Sequence, residues 1–441
     1  MEFRRFRRNI ARIARRAFWR LPYIAPLAVL ISLTLLIYLT TVLSNTVNYS
    51  NHNYAASRIR DAEELRLARA RTRLAEWRID GRVLPFRYQS NTEGNRSYDP
   101  VKPPPGVTFA ILAPNRGLHE IDDYEPSYLT ESLVSLMSAI RHDLSRYGKR
   151  FSFVNITICP TTDQPGKFSE LSSVVPLLPG DAVKPRLRAS LDHSSLMCRT
   201  ILDMASCLIQ SGTLNTPDSF LVLLEDDMII EERALDQLWK IFAMLQQRFS
   251  DTIHHTTATY NYRLPGLVQL HTPHSELHYS LMDSGSLLEL AFLGTVLTVV
   301  LFIAYFHNWW RPFLVLHNCG LVCSLFLTSV FLVNMVGRAH WLITYHRLLK
   351  YQSITVAKDP LASSTGAAML VSTQVARDLG AFLNTFSCTE IDRRDRVNKA
   401  QLIYQYLSSH NLPVWRTLPS LFKHRGLYSF YTKDVNPYDV E

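Results

Sequence analysis

Hydrophobic positions along this chain fall into three long apolar stretches, with strand-like and helix-like patterns between them. Residues 24–43 carry no charge and are long enough to cross a bilayer core at ~1.5 Å per residue. Residues 287–306 are apolar apart from Glu289, and residues 313–336 apart from His317, Asn318 and Asn334. The six residues between them, His307-Asn-Trp-Trp-Arg-Pro312, allow only a hairpin, and their tryptophans and Arg311 suit a membrane interface. Elsewhere the pattern alternates. Residues 107–113 read as a buried strand, and 126–146 as a helix with apolar residues at 129, 133, 136, 140 and 144. A β-rich run at 151–159, a helix at 192–211, a strand at 219–224 and a helix at 231–249 follow. Beyond the hairpin the pattern predicts a strand at 366–371, helices at 372–384 and 397–409, and a charged loop at 388–395. Strand and helix in alternation predict an α/β domain with a mostly parallel sheet, split by a two-helix transmembrane hairpin.

Charge changes this picture at one end only. Eight arginines and one acid, Glu2, fall within residues 1–20, and the rest of the 441-residue chain holds 39 basic and 37 acidic side chains. The net charge of +9 is therefore a property of the tail, and a nucleic-acid-binding body is excluded because it would spread its cations over a face or groove. An arginine-rich tail before an uncharged span predicts a signal anchor with the N-terminus in the cytosol and the body in the lumen. The resulting divisions are a cytosolic tail at 1–22, a signal-anchor helix at 23–43 and a lumenal stem and linker at 44–105. A first half of the folded domain at 106–286, the hairpin at 287–336 and a second half at 337–441 follow. Leu67, Ala70, Leu74 and Trp77 lie at helical spacing in a charge-dense stretch, which reads as a solvated stem helix. Cys159, Cys198, Cys207 and Cys388 are expected to form up to two disulfides in an oxidising lumen, with the connectivity left open.

Candidate chemistry begins at Phe220-Leu-Val-Leu-Leu-Glu-Asp-Asp-Met-Ile-Ile230, where an apolar strand runs into Glu225, Asp226 and Asp227. Adjacent carboxylates at a strand exit are costly without a positive partner, and ligands of open α/β sheets bind at the carboxyl ends of strands. A divalent cation carrying a phosphate-bearing ligand fits, as would a solvated acidic turn. His424 is a candidate late ligand, since imidazole with carboxylate suits Mn²⁺. Arg116, after the first strand, and Arg186 and Arg188 are candidates for a nucleotide diphosphate. Glu390 and Asp392 are candidates for a carboxylate base beside an acceptor hydroxyl. His271, His274 and His278 have loose zinc-like spacing, but Pro273 interrupts them and no cysteine accompanies them, which argues against zinc.

Signal anchor, acidic triplet and interrupting hairpin together resemble the Golgi GPI-glycan N-acetylgalactosamine transferases, the post-GPI-attachment-to-proteins factor four family. The closing Pro419-Ser-Leu-Phe-Lys-His424-Arg-Gly-Leu-Tyr-Ser429 resembles that family's Pro-x-Leu-Phe-x-His-x-Gly-x-x-Ser, and Arg186-Leu-Arg-Ala-Ser-Leu-Asp192-His-Ser-Ser-Leu-Met197 its segment before the acidic motif. The resemblance implies a GT-A-like glycosyltransferase domain that takes N-acetylgalactosamine from UDP-N-acetylgalactosamine to a mannose of the GPI anchor, with inversion. It also implies a Mn²⁺ cofactor, GPI-anchored protein acceptors and contact with Golgi membrane lipids. Asp227 and His424 would then hold the metal, with Glu225 on its bound water or the ribose, and Asp192, Arg188, Arg116 and Asp226 on the donor side. An N-acetylglucosaminyltransferase of N-glycans and a non-catalytic lumenal scaffold remain open alternatives.

Overall fold

The computed structural model describes residues 52–79, 105–114, 127–148, 150–162, 166, 168–178, 181–187, 195–212, 219–230, 234–254, 266–271, 284–308, 319–336, 355–358, 367–393, 399–418 and 420–426. The signal anchor and its arginine-rich tail lie outside them. In chain order the elements are α1 (His52–Ile79), β1 (Gly106–Ala113), α2 (Tyr128–Tyr147), β2 (Val154–Pro160), α3 (Ser169–Val174), α4 (Leu196–Gly212), β3 (Ser219–Glu225) and β4 (Met228–Ile230). Then come α5 (Ala234–His254), β5 (Leu267–Gln269), α6 (Ser284–Asn308) and α7 (Cys319–Val336). The chain ends in β6 (Thr355–Lys358), β7 (Ala368–Ser372), α8 (Thr373–Asn384), α9 (Cys388–Arg393), α10 (Lys399–Ser409), β8 (Val414–Leu418) and β9 (Phe422–His424).

Two compact units result, one holding α6 and α7 and the other built from residues 54–276 and 346–441. The larger unit has a seven-stranded sheet in the order β2-β1-β3-β7-β5-β8-β6. β1 pairs in parallel with β2 and β3, and β5 in parallel with β8, while β7 runs antiparallel to both β3 and β5 and β6 antiparallel to β8. Five of the seven strands thus point the same way, so the sheet is mostly parallel, as expected. Apolar layers cover both faces, which is why β1 is buried along its whole length. On one face α2, α5 and the run from Phe168 to Leu178 pack on Phe109, Ile111, Val222 and Leu224. On the other α4, α8 and α10 pack on Ala110, Leu112, Leu221 and Leu223. Alternate residues of one strand supply alternate layers.

Two expectations are corrected and one is completed. The stem helix is not solvated: Leu67, Ala70 and Leu74 of α1 are buried, and Ala70 and Leu74 join the core that holds α2. Burial of each leucine contributes about 1.5–3 kcal/mol, which favours the docked helix. The charged stretch at 388–395 is not wholly a loop, because α9 forms from 388 to 393 with Ile391 buried beneath it. The strand expected at 366–371 is present as β7, and it joins the sheet antiparallel.

In the smaller unit α6 and α7 pack side by side, with Gly294 seated against Val330 and Leu290 and Val333 forming a small core. Among the described residues no helix is long and apolar enough to cross a membrane; side chains of this pair are described at 288–300, 303 and 325–334. Leu288, Phe292, Val300, Ile303 and Leu327 are exposed.

Candidate active site

Leu221 to Leu224 are fully buried, and the strand they form delivers Glu225, Asp226 and Asp227 to the carboxyl end of β3. Asp226 and Asp227 make the turn there. The chain then leaves the main sheet as β4, whose partner is β9, with Met228 opposite His424, Ile229 opposite Lys423 and Ile230 opposite Phe422. Arg425 extends the ladder by donating its N–H to the Asp227 carbonyl at 3.0 Å. This register sets His424 Nε2 3.3 Å from Asp227 Oδ2. The carboxylate is nearly buried, at 6% exposure, and the imidazole reaches solvent at 24%.

Ties on two sides hold this two-stranded ribbon. From the sheet, Leu270 accepts the Leu421 N–H at 2.8 Å, and His271 donates through Nδ1 to the Phe422 carbonyl at 3.0 Å. The His271 and His424 rings stack with centroids 6.3 Å apart. From α2, Ser132 Oγ donates to the Met228 carbonyl at 2.7 Å, and Ser135 Oγ accepts from the Ile230 N–H at 3.4 Å. Gly426 completes the enclosure, since a Cβ there would lie 2.5 Å from Asp227 Oδ2. No larger residue fits against the carboxylate without moving it.

The three acids have separate surroundings. Glu225 forms an ion pair with Lys399 at the start of α10, Nζ to Oε1 2.5 Å, with the two side chains 20% and 10% exposed. Asp226 is buried. Asp227 meets His424. Among the described residues no cluster of three or more histidine, cysteine or acidic side chains is assembled for a metal. A carboxylate oxygen beside an imidazole nitrogen nevertheless fits a hard or borderline divalent cation, whose other positions are taken by substrate oxygens and water.

Arg116, Arg188 and Asp192 lie outside the described residues. Arg186 pairs with Asp203 of α4, Nε to Oδ1 2.7 Å, and both are nearly buried, so this arginine fastens the approach to α4. Glu390 and Asp392 stand on α9, with side chains outside the described residues. The disulfide Cys198–Cys388 joins α9 to the first turn of α4. Because α4 leads back to the start of β3, its first turn lies at the edge where β3 ends, and α9 is fixed at that edge too. The second disulfide, Cys159–Cys207, ties β2 to α4.

Sequence reasoning missed Lys399, the bracing role of His271 and the close approach at Gly426. Lys399 opens a helix like any surface lysine. The spacing around His271 suggests only a loose zinc-like cluster. Gly426 lay inside a quoted motif, but its need for space comes from Asp227, far away in sequence.

The fold is an α/β domain with a mostly parallel sheet, and a carboxylate and an imidazole converge at the carboxyl end of β3. The chain belongs to the GPI-N-acetylgalactosamine transferase PGAP4 family, whose model matches residues 107–423, and it is accordingly a glycosyltransferase. No curated protein matches it.

Proposed function

We propose that this protein is a metal-dependent transferase of the GT-A kind that moves N-acetylgalactosamine from UDP-N-acetylgalactosamine to a mannose of the GPI anchor on GPI-anchored proteins. The observation that carries the metal reading is the approach of Asp227 Oδ2 to His424 Nε2 at the end of β3. These two residues would hold Mn²⁺, which supplies positive charge against a departing diphosphate. Glu225, oriented by Lys399, accepts hydrogen bonds from the ribose hydroxyls. Arg116, Arg188, Asp192 and Asp226 complete the donor side. Glu390 or Asp392 on α9 takes the proton of the acceptor hydroxyl as its oxygen bonds to the sugar C1. The C1–oxygen bond to the diphosphate breaks from the opposite side, UDP leaves, and the anomeric centre inverts.

The address is the Golgi membrane, with the N-terminus cytosolic, residues 23–43 as signal anchor and the catalytic unit lumenal. Two disulfides support an oxidising compartment. Outward apolar side chains on α6 and α7, among them Leu288 at 72% and Phe292 at 66% exposure, support a hairpin in lipid. A GPI acceptor is tethered to that same bilayer, so a catalytic unit anchored twice would work at a fixed height above it.

Donor competition tests the reading. The purified full-length protein with Mn²⁺ and a GPI-anchored acceptor should transfer from UDP-N-acetylgalactosamine at least about tenfold faster than from UDP-N-acetylglucosamine, the discrimination that one polar contact supplies. Equal rates, or a preference for the second donor on N-glycans, would count against it. Lys399→Met is expected to raise the donor KM about tenfold, the loss of one charge-assisted hydrogen bond, with the metal requirement unaltered. Steady-state kinetics over donor and metal concentration check both halves of that statement.

A further inference from the structure

α1 is packed along the catalytic unit by more than its apolar stripe. Arg66 Nε pairs with Glu131 Oε1 at 2.8 Å, and the Tyr128 hydroxyl donates to Glu63 Oε2 at 3.4 Å from a buried position. Arg71 reaches Ser127 Oγ and Arg73 reaches Ser138 Oγ, each at 3.4 Å. Arg78 donates to the Ser173 carbonyl, and the Arg141 guanidinium lies 4.1 Å over the Trp77 ring. Four residues of α2, Tyr128, Glu131, Ser138 and Arg141, and the residue before α2, Ser127, thus meet α1.

The first turns of α2 face two ways. Tyr128 and Glu131 meet α1, while Ser132 and Ser135 hold the main chain of β4 at Met228 and Ile230. Met228 follows Asp227 directly and is the ladder partner of His424. Any shift of α2 therefore passes to the carboxylate and the imidazole together. A second link runs beside the first. Burial pushes the Glu131 carboxyl up, against the pull of Arg66 and of Arg425, the residue after His424. Glu131 accordingly feels a cation from α1 and another from the end of the ribbon.

We propose that α1 is a strap that positions the Asp227–His424 pair, acting through the first two turns of α2 on the β4–β9 ribbon. In a spacer, loss of contact with the domain would change reach above the membrane and nothing else. In a strap, loss of contact loosens the site. The claim deepens the proposed metal site but does not need it for its first test. Glu63, Arg66, Leu67 and Leu74 act in the strap as positioning residues, through α2.

Hydrogen exchange on the full-length protein in detergent reads the link directly. Leu67→Asp with Leu74→Asp places two charges in a buried seam and releases α1. Amides at 226–230 and 421–425 should then exchange about tenfold faster or more, as a local opening predicts, while α8 keeps its protection. Should the double substitution fail to fold, Arg66→Ala carries the same measurement. A kinetic arm adds a readout that a structural role would not move. Arg66→Ala should raise the Mn²⁺ concentration for half-maximal transfer about fivefold, and Arg66→Lys should restore most of it. Leu379→Ala, in the core of α8 on the opposite face of the sheet, lowers stability without touching the ribbon and serves as control. Protection retained at 226–230 and 421–425 after α1 is released, or an equal metal requirement in the Arg66→Ala and Leu379→Ala proteins, would overturn the proposal. Because exchange needs neither metal nor donor, its failure counts against the strap alone; transfer by the unaltered protein that ignores Mn²⁺ counts against the proposed site.

Discussion

Asp227→Ala is expected to lower GalNAc transfer by about a thousandfold or more at saturating donor and Mn²⁺, the scale of losing a principal electrostatic partner of the leaving group. Asp227 lies against His424 and Glu225 against Lys399, so the same change at Glu225 should act on donor affinity instead. The fold should survive. Asp227 occupies a turn, the surrounding ladder is made by main-chain groups, and the buried carboxylate contributes charge rather than apolar packing. Its removal should shift Tm by no more than about 2–4 °C, the scale of about 1 kcal/mol in a large domain. Transfer assays beside thermal melts separate the two effects. Activity within about tenfold of the unaltered protein, with Mn²⁺ still required, would mean that the metal is held elsewhere. His424→Ala should cost less, about ten- to a hundredfold, because water can fill one vacated position of a cation that keeps its carboxylate.

Gly426→Ala should be nearly as damaging, although it adds one methyl group to a residue that has no chemistry. That carbon would stand 2.5 Å from Asp227 Oδ2 and 3.0 Å from both Cβ and Cγ of the same side chain. A flexible tip could yield, but Cβ is set by the main chain of the turn, and that main chain is bonded to Arg425. Either the carboxylate turns away from His424 or the ribbon parts. We expect transfer to fall about a hundredfold and stability by about 1–3 kcal/mol, the usual cost of overpacking. The loss should be in kcat and in metal affinity, with donor KM little changed. An alanine protein that keeps its metal requirement and its rate would show that the ribbon adapts to the added methyl.

What could be read in the chain was what its local periodicity encodes. β1, β3 and β7 are mainly apolar runs, and α2, α4, α5, α8 and α10 repeat apolar residues at helical spacing, so each was found within a few residues of its bounds. β4, β5, β6, β8 and β9 escaped prediction as separate strands. They hold three to five residues each, and partners remote in sequence make them strands. The direction of β7 was hidden for the same reason, since an apolar strand reads alike in both directions. At the site, Asp227 stood out because a carboxylate triplet after a buried strand is electrostatically expensive. His424 was a candidate, but its approach to Asp227 rests on a ladder no local pattern reveals. Lys399 could not be found at all, because its ion pair with Glu225 depends on where α10 begins in space. The docking of α1 was misread because its arginines suggested solvent, while their partners Ser127, Glu131, Ser138 and Ser173 lie in other elements.

The strand order of the main sheet bears on how the protein is made. β7, synthesised after α6 and α7, lies between β3 and β5, both synthesised before them. A nascent chain that has emerged only as far as the helix pair therefore holds two strands whose main-chain groups await the same missing neighbour. The disulfide between Cys198 and Cys388 joins residues 190 positions apart and cannot form until that neighbour has arrived. Until then the open strand edges invite pairing with other chains, as unpaired edges do. A ribosome stalled at the helix pair, or a message cut short there, should leave a product that never closes its sheet and is retained for chaperones and degradation.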